Sequence, residues 1–319
     1  MHSLITGVGG FAGQHLAARL LASGDTVTGI ARRPVLWRSG QVDRAPRFDL
    51  ILADLTHPSA ATRAVHDAAA DRVVHLAAQS SVSESFMDPM GTLHNNAACL
   101  INVLEAVRSS GHRPRILVVS SAEVYGRARD GRPIDELAPL CPESPYAVSK
   151  AALDLLGYQY HVAYGLDIVR VRPFTHIGPG QSDRFVAASF ARQIVEIERG
   201  AREPVIAVGN LAAKRDFTDV RDMVGAYELA LLNGEPGAVY NIGRGAAVSI
   251  QALLEQLIGS SRVPVTVRVD SSRLRSADAP LLLCDAARFR ERTQWEARIP
   301  LEVTLQDILD YWRDQEVAA

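Results

Sequence analysis

Lysine is nearly absent from this chain. Among 319 residues it stands at Lys150 and Lys214, and the remaining 32 of the 34 basic residues are arginine. A lysine kept against such a bias marks a position that wants a compact point charge in place of a broad guanidinium fork. Cysteine is scarce too: Cys99, Cys141 and Cys284 form no CxxC and no close pair. That argues against a disulfide framework and against a thiolate metal site, and fits inert thiols in a reducing cytoplasm. No apolar run approaches about eighteen residues, so no bilayer span is expected. The opening HSLIT reads as a strand, not as a basic leader. A net charge of -2 gives no reason to expect nucleic acid or a membrane surface as partner. With 47% hydrophobic residues the chain can bury a sizeable core, as one large domain or two smaller ones.

Short apolar runs alternate with amphipathic ones. Leu4-Ile5, Thr26 to Ile30, Phe48 to Leu52, Val73 to Leu76, Ile116 to Ser120 and Ile168 to Val171 are branched-rich and too short for helices, so they read as strands. Helical spacing marks Gly13 to Ala22, Pro58 to Ala69, Asn96 to Val107 and Tyr146 to Tyr164. This alternation predicts an α/β fold with a doubly wound parallel sheet of the Rossmann kind. Beyond about residue 175 the pattern loosens, with helices expected at Phe185 to Glu198, Val220 to Leu232, Ile250 to Ile258 and Leu305 to Trp312. The expected organisation is a dinucleotide-binding part over 1–174 and a smaller α/β substrate part over 175–319, with some crossing of chain between them.

TGVGGFAG, Thr6 to Gly13, joins the first strand to the first helix. Gly7 would permit the tight turn, Gly10 the approach of backbone amides to a pyrophosphate, and Gly13 close helix-sheet packing. The helix begins around Phe11-Ala12 and would present its unpaired amides to the anion. An acidic residue about twenty positions on is the usual mark of NAD. Here the second strand ends in Arg32-Arg33. Two guanidiniums there suit a 2′-phosphate, so NADP(H) is expected, with NAD(H) possible if the pair is merely solvated. Asp54-Leu55 follows the third strand, where an adenine amino group could be met; Asp54 is equally readable as a turn aspartate.

SSAEVYG, Ser120 to Gly126, emerges at the carboxyl edge of a buried strand, where doubly wound folds bind ligands. SPYAVSK places Tyr146 and Lys150 four residues apart, on one face of a helix. A phenol of ordinary pKa near 10 exchanges protons poorly at neutral pH, and an adjacent ammonium is expected to lower it. Ser121 would hydrogen-bond the reacting oxygen. Lysine suits the position beside Tyr146, where an arginine would fit badly.

Together with HLAAQSSV, NNAACLINVLEA, RPFTHIGPGQ and VGNLAAKRDFTDVRD, these segments resemble the extended short-chain dehydrogenase/reductase family of nucleotide-sugar enzymes, above all its GDP-mannose-type members. The resemblance covers nearly the whole chain. It implies a catalytic set of Ser121, Tyr146 and Lys150, with Glu123 as an additional acid. It implies cofactor contacts at the Leu76-Ala77-Ala78 turn, at Asn96 behind the site, and at Pro173 and His176 under the nicotinamide. On the sugar-nucleotide side it implies Gln79, Thr175, Asn210, Lys214 and Arg215, and a diphosphate clamp at Arg275 and Asp278. Thr175 stands where the family commonly has Asn, and LRSADAP where it has LRPSEVP. The implied reaction is reduction of the 4-keto group of a GDP-linked 4-keto-6-deoxymannose to a GDP-6-deoxyhexose, GDP-D-rhamnose, in a homodimer or higher homo-oligomer. Glu123 keeps 4,6-dehydration of GDP-mannose open, and 4-epimerisation of a nucleotide sugar is a second alternative. A non-catalytic dinucleotide sensor would have no need of the proton donor.

Overall fold

Strand runs such as LIT, VV and ILVV carry apolar side chains at both odd and even positions, the signature of strands buried on two faces. In the computed structural model, which describes residues 1–38, 42–127, 131–273 and 279–315, that is how they sit. The first half supplies β1 (His2–Thr6), α1 (Phe11–Ala22), β2 (Thr26–Ala31), β3 (Phe48–Leu52), α2 (Pro58–Ala68), β4 (Arg72–His75), α3 (Val82–Met87), α4 (Pro89–Ser110), β5 (Arg115–Val119), α5 (Pro145–Tyr164) and β6 (Ile168–Pro173). The second half begins with β7 (His176–Ile177), α6 (Val186–Glu198), β8 (Val205–Val208), β9 (Lys214–Asp216), β10 (Thr218–Asp219) and α7 (Val220–Asn233). It continues with β11 (Val239–Ile242), β12 (Ala247–Ser249), α8 (Ile250–Gly259), β13 (Thr266–Val269), β14 (Leu281–Leu282), α9 (Ala287–Thr293) and α10 (Leu301–Asp314).

Seven parallel strands form the central sheet in the order β11-β6-β5-β4-β1-β2-β3. The order reverses between β1 and β4, which opens a crevice beyond their carboxyl ends. Leu4, Val73, Ile116, Val118 and Ile168 face a core shared with α2, α4 and α5. Ile5, Val74, Leu117, Val119 and Val169 face one shared with α1, α7 and α9. A third core, under α6, α8 and α10, lies around Phe190, Ile206, Leu253 and Ile308.

Local chemistry sets where the helices begin. Ser144 accepts the amide of Ala147 at 3.1 Å, and Pro145 follows at the first helical position of α5. Asp88 and Pro89 do the same for α4, which therefore starts seven residues before the expected Asn96. The seventh strand, β11, was not expected: VYNI is short and joins β6 only through distant pairing. Among the described residues no helix is long and apolar enough to cross a membrane.

Candidate active site

The turn from β1 into α1 accepts glycine alone at two points. Gly7 has φ +70°, and a side-chain carbon on it would lie 2.8 Å from the Ala77 backbone. One on Gly13 would lie 2.5 Å from the Gly7 carbonyl oxygen. Gly10 caps α1 with extended backbone and no side-chain hydrogen bond, which leaves the first-turn amides to an anion. A cleft of about 1050 Å³ opens from this loop. Gly7, Gly10, Phe11, Ala12 and Gly13 line it at one wall, and Arg32 and Arg33, both exposed, line it at the end of β2. These features fit a dinucleotide with a phosphorylated adenosine ribose.

Leu76, Ala77 and Ala78 form the facing wall. Their turn is tied down by Thr6, whose hydroxyl oxygen accepts the amides of Leu76 and Ala77, each at 3.1 Å. The Thr6 proton then goes to His75 Nδ1 at 3.1 Å. Burial pushes His75 down to about 3, so this imidazole stays neutral.

Past the end of β5, Ser121 caps a short 3₁₀ turn (Ala122–Tyr125), its hydroxyl accepting the Glu123 amide at 3.2 Å. Tyr146 and Lys150 reach the same point from α5, and all four side chains line the cleft. Lys150 is 5% exposed and donates to the Val119 carbonyl at 2.8 Å. Burial pulls its ammonium down to about 8. Burial also pushes the Tyr146 phenol up to about 12; the hydrogen bond with Ser121 opposes this and the charge of Glu123 adds to it. This corrects the expectation of a lowered tyrosine: desolvation of the phenolate outweighs the Ser121 hydrogen bond, and the nearby carboxylate works in the same direction as burial. The phenol keeps its proton at neutral pH.

Pro173, Thr175 and His176 line the floor, where the His176 ring stacks on Phe11 with centroids 5.9 Å apart and planes at 4°. Burial holds His176 at about 4. Leu55, Asn210 and Arg215 also line the cleft, and Arg215 donates to the carbonyls of Lys214 (2.9 Å) and Ala279 (2.6 Å).

Four expected residues, Asp54, Gln79, Asn96 and Lys214, are not among the lining ones. Asp54 accepts the amide and hydroxyl of Thr56 at 2.9 and 2.7 Å, in an aspartate turn that holds its carboxyl below the usual range. Lys214 is exposed, on β9. Asn96 is fully buried behind the wall; it accepts the Gln79 amide at 2.7 Å and donates to the Gln79 carbonyl at 3.1 Å and to Ser149 at 2.8 Å. It thus links the loop of Gln79 to α5 one position before Lys150. Arg275 and Asp278 lie outside the described residues. Reading the sequence also missed several lining residues: Asn95 on α4, Ser80 and Ser81 in HLAAQSSV, Gln181 and Arg184 after HIGPG, and Tyr227 on α7. The two serines, Asn95 and Gln181 stand within HLAAQSSV, NNAACLINVLEA and RPFTHIGPGQ; Tyr227 reaches the cleft because α7 packs on α1.

A seven-stranded doubly wound sheet, a glycine loop at its switch point and a Ser-Tyr-Lys set define a dinucleotide-dependent enzyme of the extended short-chain dehydrogenase/reductase type. Residues 4–308 match the family model described as GDP-mannose 4,6 dehydratase, and the chain belongs to that family. It is 36% identical to GDP-6-deoxy-D-mannose reductase of Pseudomonas aeruginosa, over 98% of this chain and 97% of that one. To GDP-mannose 4,6-dehydratase of Yersinia enterocolitica it is 30% identical, over 94% and 90%. A solved structure of RMD from Pseudomonas aeruginosa complexed with NADPH matches with a TM-score of 0.84 at 35% identity, covering 98% of both chains. The Thermus thermophilus UDP-glucose 4-epimerase complex with NAD matches at 0.87 and 26%, covering 98% and 99%.

Proposed function

We propose that this chain reduces the 4-keto group of a GDP-linked 4-keto-6-deoxymannose to a GDP-6-deoxyhexose, GDP-D-rhamnose, with NADPH. The observation that carries the choice among the family's reactions is the whole-length 36% identity to a GDP-6-deoxy-D-mannose reductase. The protonated phenol supports it, because a carbonyl that accepts hydride needs a proton on its oxygen. NADPH, when bound, supplies the hydride. The glycine loop would hold its pyrophosphate, Arg32 and Arg33 its 2′-phosphate, and the Leu76-Ala77-Ala78 turn, Pro173 and His176 its nicotinamide half. NAD(H) is the weaker alternative, lacking a group for the two arginines.

In this reading Tyr146 gives its proton to the developing alkoxide while Ser121 hydrogen-bonds the same oxygen. Lys150 would favour the phenolate that remains and, with the cofactor bound, would hold the nicotinamide ribose through its ammonium. Asn210, Thr175 and Arg215 would meet the sugar nucleotide. Residues 1–174 would mainly serve the dinucleotide and 175–319 the sugar end, with α7, β11 and α9 returning to the sheet. The outward side of α5 exposes Val148, Leu155, Tyr158 and Val162, which supports a homodimer or higher homo-oligomer.

A second reading, dehydration of GDP-mannose, is favoured by Glu123, a carboxylate in the cleft close enough to Tyr146 to act on its titration. The two differ in redox balance. With the 4-keto sugar, a reductase consumes about one NADPH per sugar, whereas a dehydratase returns the hydride it borrows. Glu123→Gln should be mild for reduction and severe for elimination. Conversion of GDP-mannose to the keto sugar, abolished by Glu123→Gln, would replace the reductase with the dehydratase.

A further inference from the structure

We infer that Gln14 is a positioning residue for cofactor selection, pinning the segment that carries Arg32 and Arg33 onto the glycine loop. The inference rests on the NADPH reading above. Gln14 follows Gly13 on α1 and is 4% exposed. Its amide nitrogen donates to the carbonyls of Gly9 and Leu36, each at 3.1 Å, and its amide oxygen accepts the backbone amide of Arg38 at 2.6 Å. One buried side chain thus joins the pyrophosphate loop to the irregular chain that leaves β2.

Among the described residues, side-chain packing at Val35 and Trp37 and one long bond from Arg32 are what else orders that chain. Residues 32–38 are neither helix nor strand. Val35 packs so close to Gly9 that a side-chain carbon there would lie 2.9 Å from its Cγ2, and Trp37 sets its edge on Phe48 with centroids 5.1 Å apart. Arg32 itself makes a long hydrogen bond of 3.4 Å to Asn95. Both arginines are exposed at the cleft, so their long side chains lose rotamer freedom on closing around a phosphate. Fixing the backbone beneath them beforehand removes part of that cost. A 2′-phosphate is the one group that distinguishes NADPH from NADH, so loosening the segment should fall on NADPH alone. A role confined to folding would lower the affinity of both cofactors together.

Gln14→Met keeps length and burial but none of the hydrogen bonds. It should raise the NADPH dissociation constant about 10-fold and leave that of NADH within about 2-fold. Gln14→Glu should resemble it, because its second oxygen would face the Gly9 and Leu36 carbonyls. In an Arg32→Ala/Arg33→Ala background, Gln14→Met should add nothing, since its effect runs through those arginines. Equal effects on the two cofactors, or full additivity with the arginine pair, would overturn the inference. If the arginine pair alone shows no preference between cofactors, the NADPH reading has failed, and the inference with it. Should Gln14→Met not fold, Val35→Ala loosens the same segment without a buried polar loss. It should reduce the NADPH preference about 2-fold to 3-fold, and an unchanged preference would count against the inference equally.

Discussion

Tyr146 and Lys150 are displaced by the same force in opposite directions. Burial disfavours whichever form is charged, so the phenol rises to about 12 and the ammonium falls to about 8. At pH 7 both protons are therefore in place. Turnover should hold through neutral pH and decline as pH rises through about 8, where Lys150 loses its charge. A pH profile flat to pH 10 would remove Lys150 from the mechanism. Tyr146→Phe should cut turnover by roughly 10²-fold or more while leaving NADPH affinity nearly intact, as steady-state and binding measurements would read. Lys150→Arg should fail as well, although it keeps the charge. The lysine is almost wholly buried against the Val119 carbonyl at the cleft wall, and a bulkier planar fork there would overpack it. Full activity in that variant would mean that compactness is not what the site requires.

At the scale of elements, α5 is held by charges that the sequence did not reveal. Asp154, one turn beyond Lys150 and fully buried, accepts from Arg170 at 2.5 Å and from Arg172 at 2.7 Å, both on β6. Arg172 also donates to the Tyr125 hydroxyl at 2.8 Å, and that hydroxyl donates to Asn241 on β11 at 2.7 Å. Tyr125 closes the turn that begins at Ser121. The network therefore joins the helix of Tyr146 and Lys150 to the turn of Ser121 and Glu123. Asp154→Asn would leave two buried guanidiniums facing an amide and should cost roughly 3–5 kcal/mol in denaturant unfolding. A loss under about 1 kcal/mol would mean that water reaches the pair and the network is not closed. The strand IVRVRP gave no hint of this, because a reading by hydrophobic pattern sends charged side chains outward. Its apolar members placed the strand correctly; its two arginines turned out to lie within the fold. The start of α4 was misplaced for a different reason: the Asp88-Pro89 signal lies ahead of the apolar spacing that drew the eye to Asn96.

At the scale of the molecule, legibility followed distance along the chain. The glycine loop, Ser121 with Glu123, and Tyr146 with Lys150 each lie within one short run, and all of them line the cleft. Arg184 and Tyr227 reach it only through packing between distant elements, and Lys214, singled out by its rarity, lies exposed outside it. Long-range packing also buries histidines, and this sets how the protein responds to acid. His75 and His176 are held neutral at about 3 and about 4, against 6.5 for a free imidazole, and burial lowers His15 as well. A cation-forming group whose folded pKa is depressed costs stability as pH falls, since the unfolded chain takes up the proton first. Between about pH 6.5 and pH 4 each of the two should remove up to about 1.4 kcal/mol per pH unit. Glu136 and Asp216, raised by burial, work the other way in the carboxylate range. The cleanest window is therefore pH 6.5 to 5.5, where the urea midpoint should fall. His75→Gln keeps an acceptor for Thr6 and cannot take a proton, so it should flatten that slope by about a third to a half, His176 and His15 carrying the rest. A slope unchanged by His75→Gln would mean that this imidazole can charge within the folded protein.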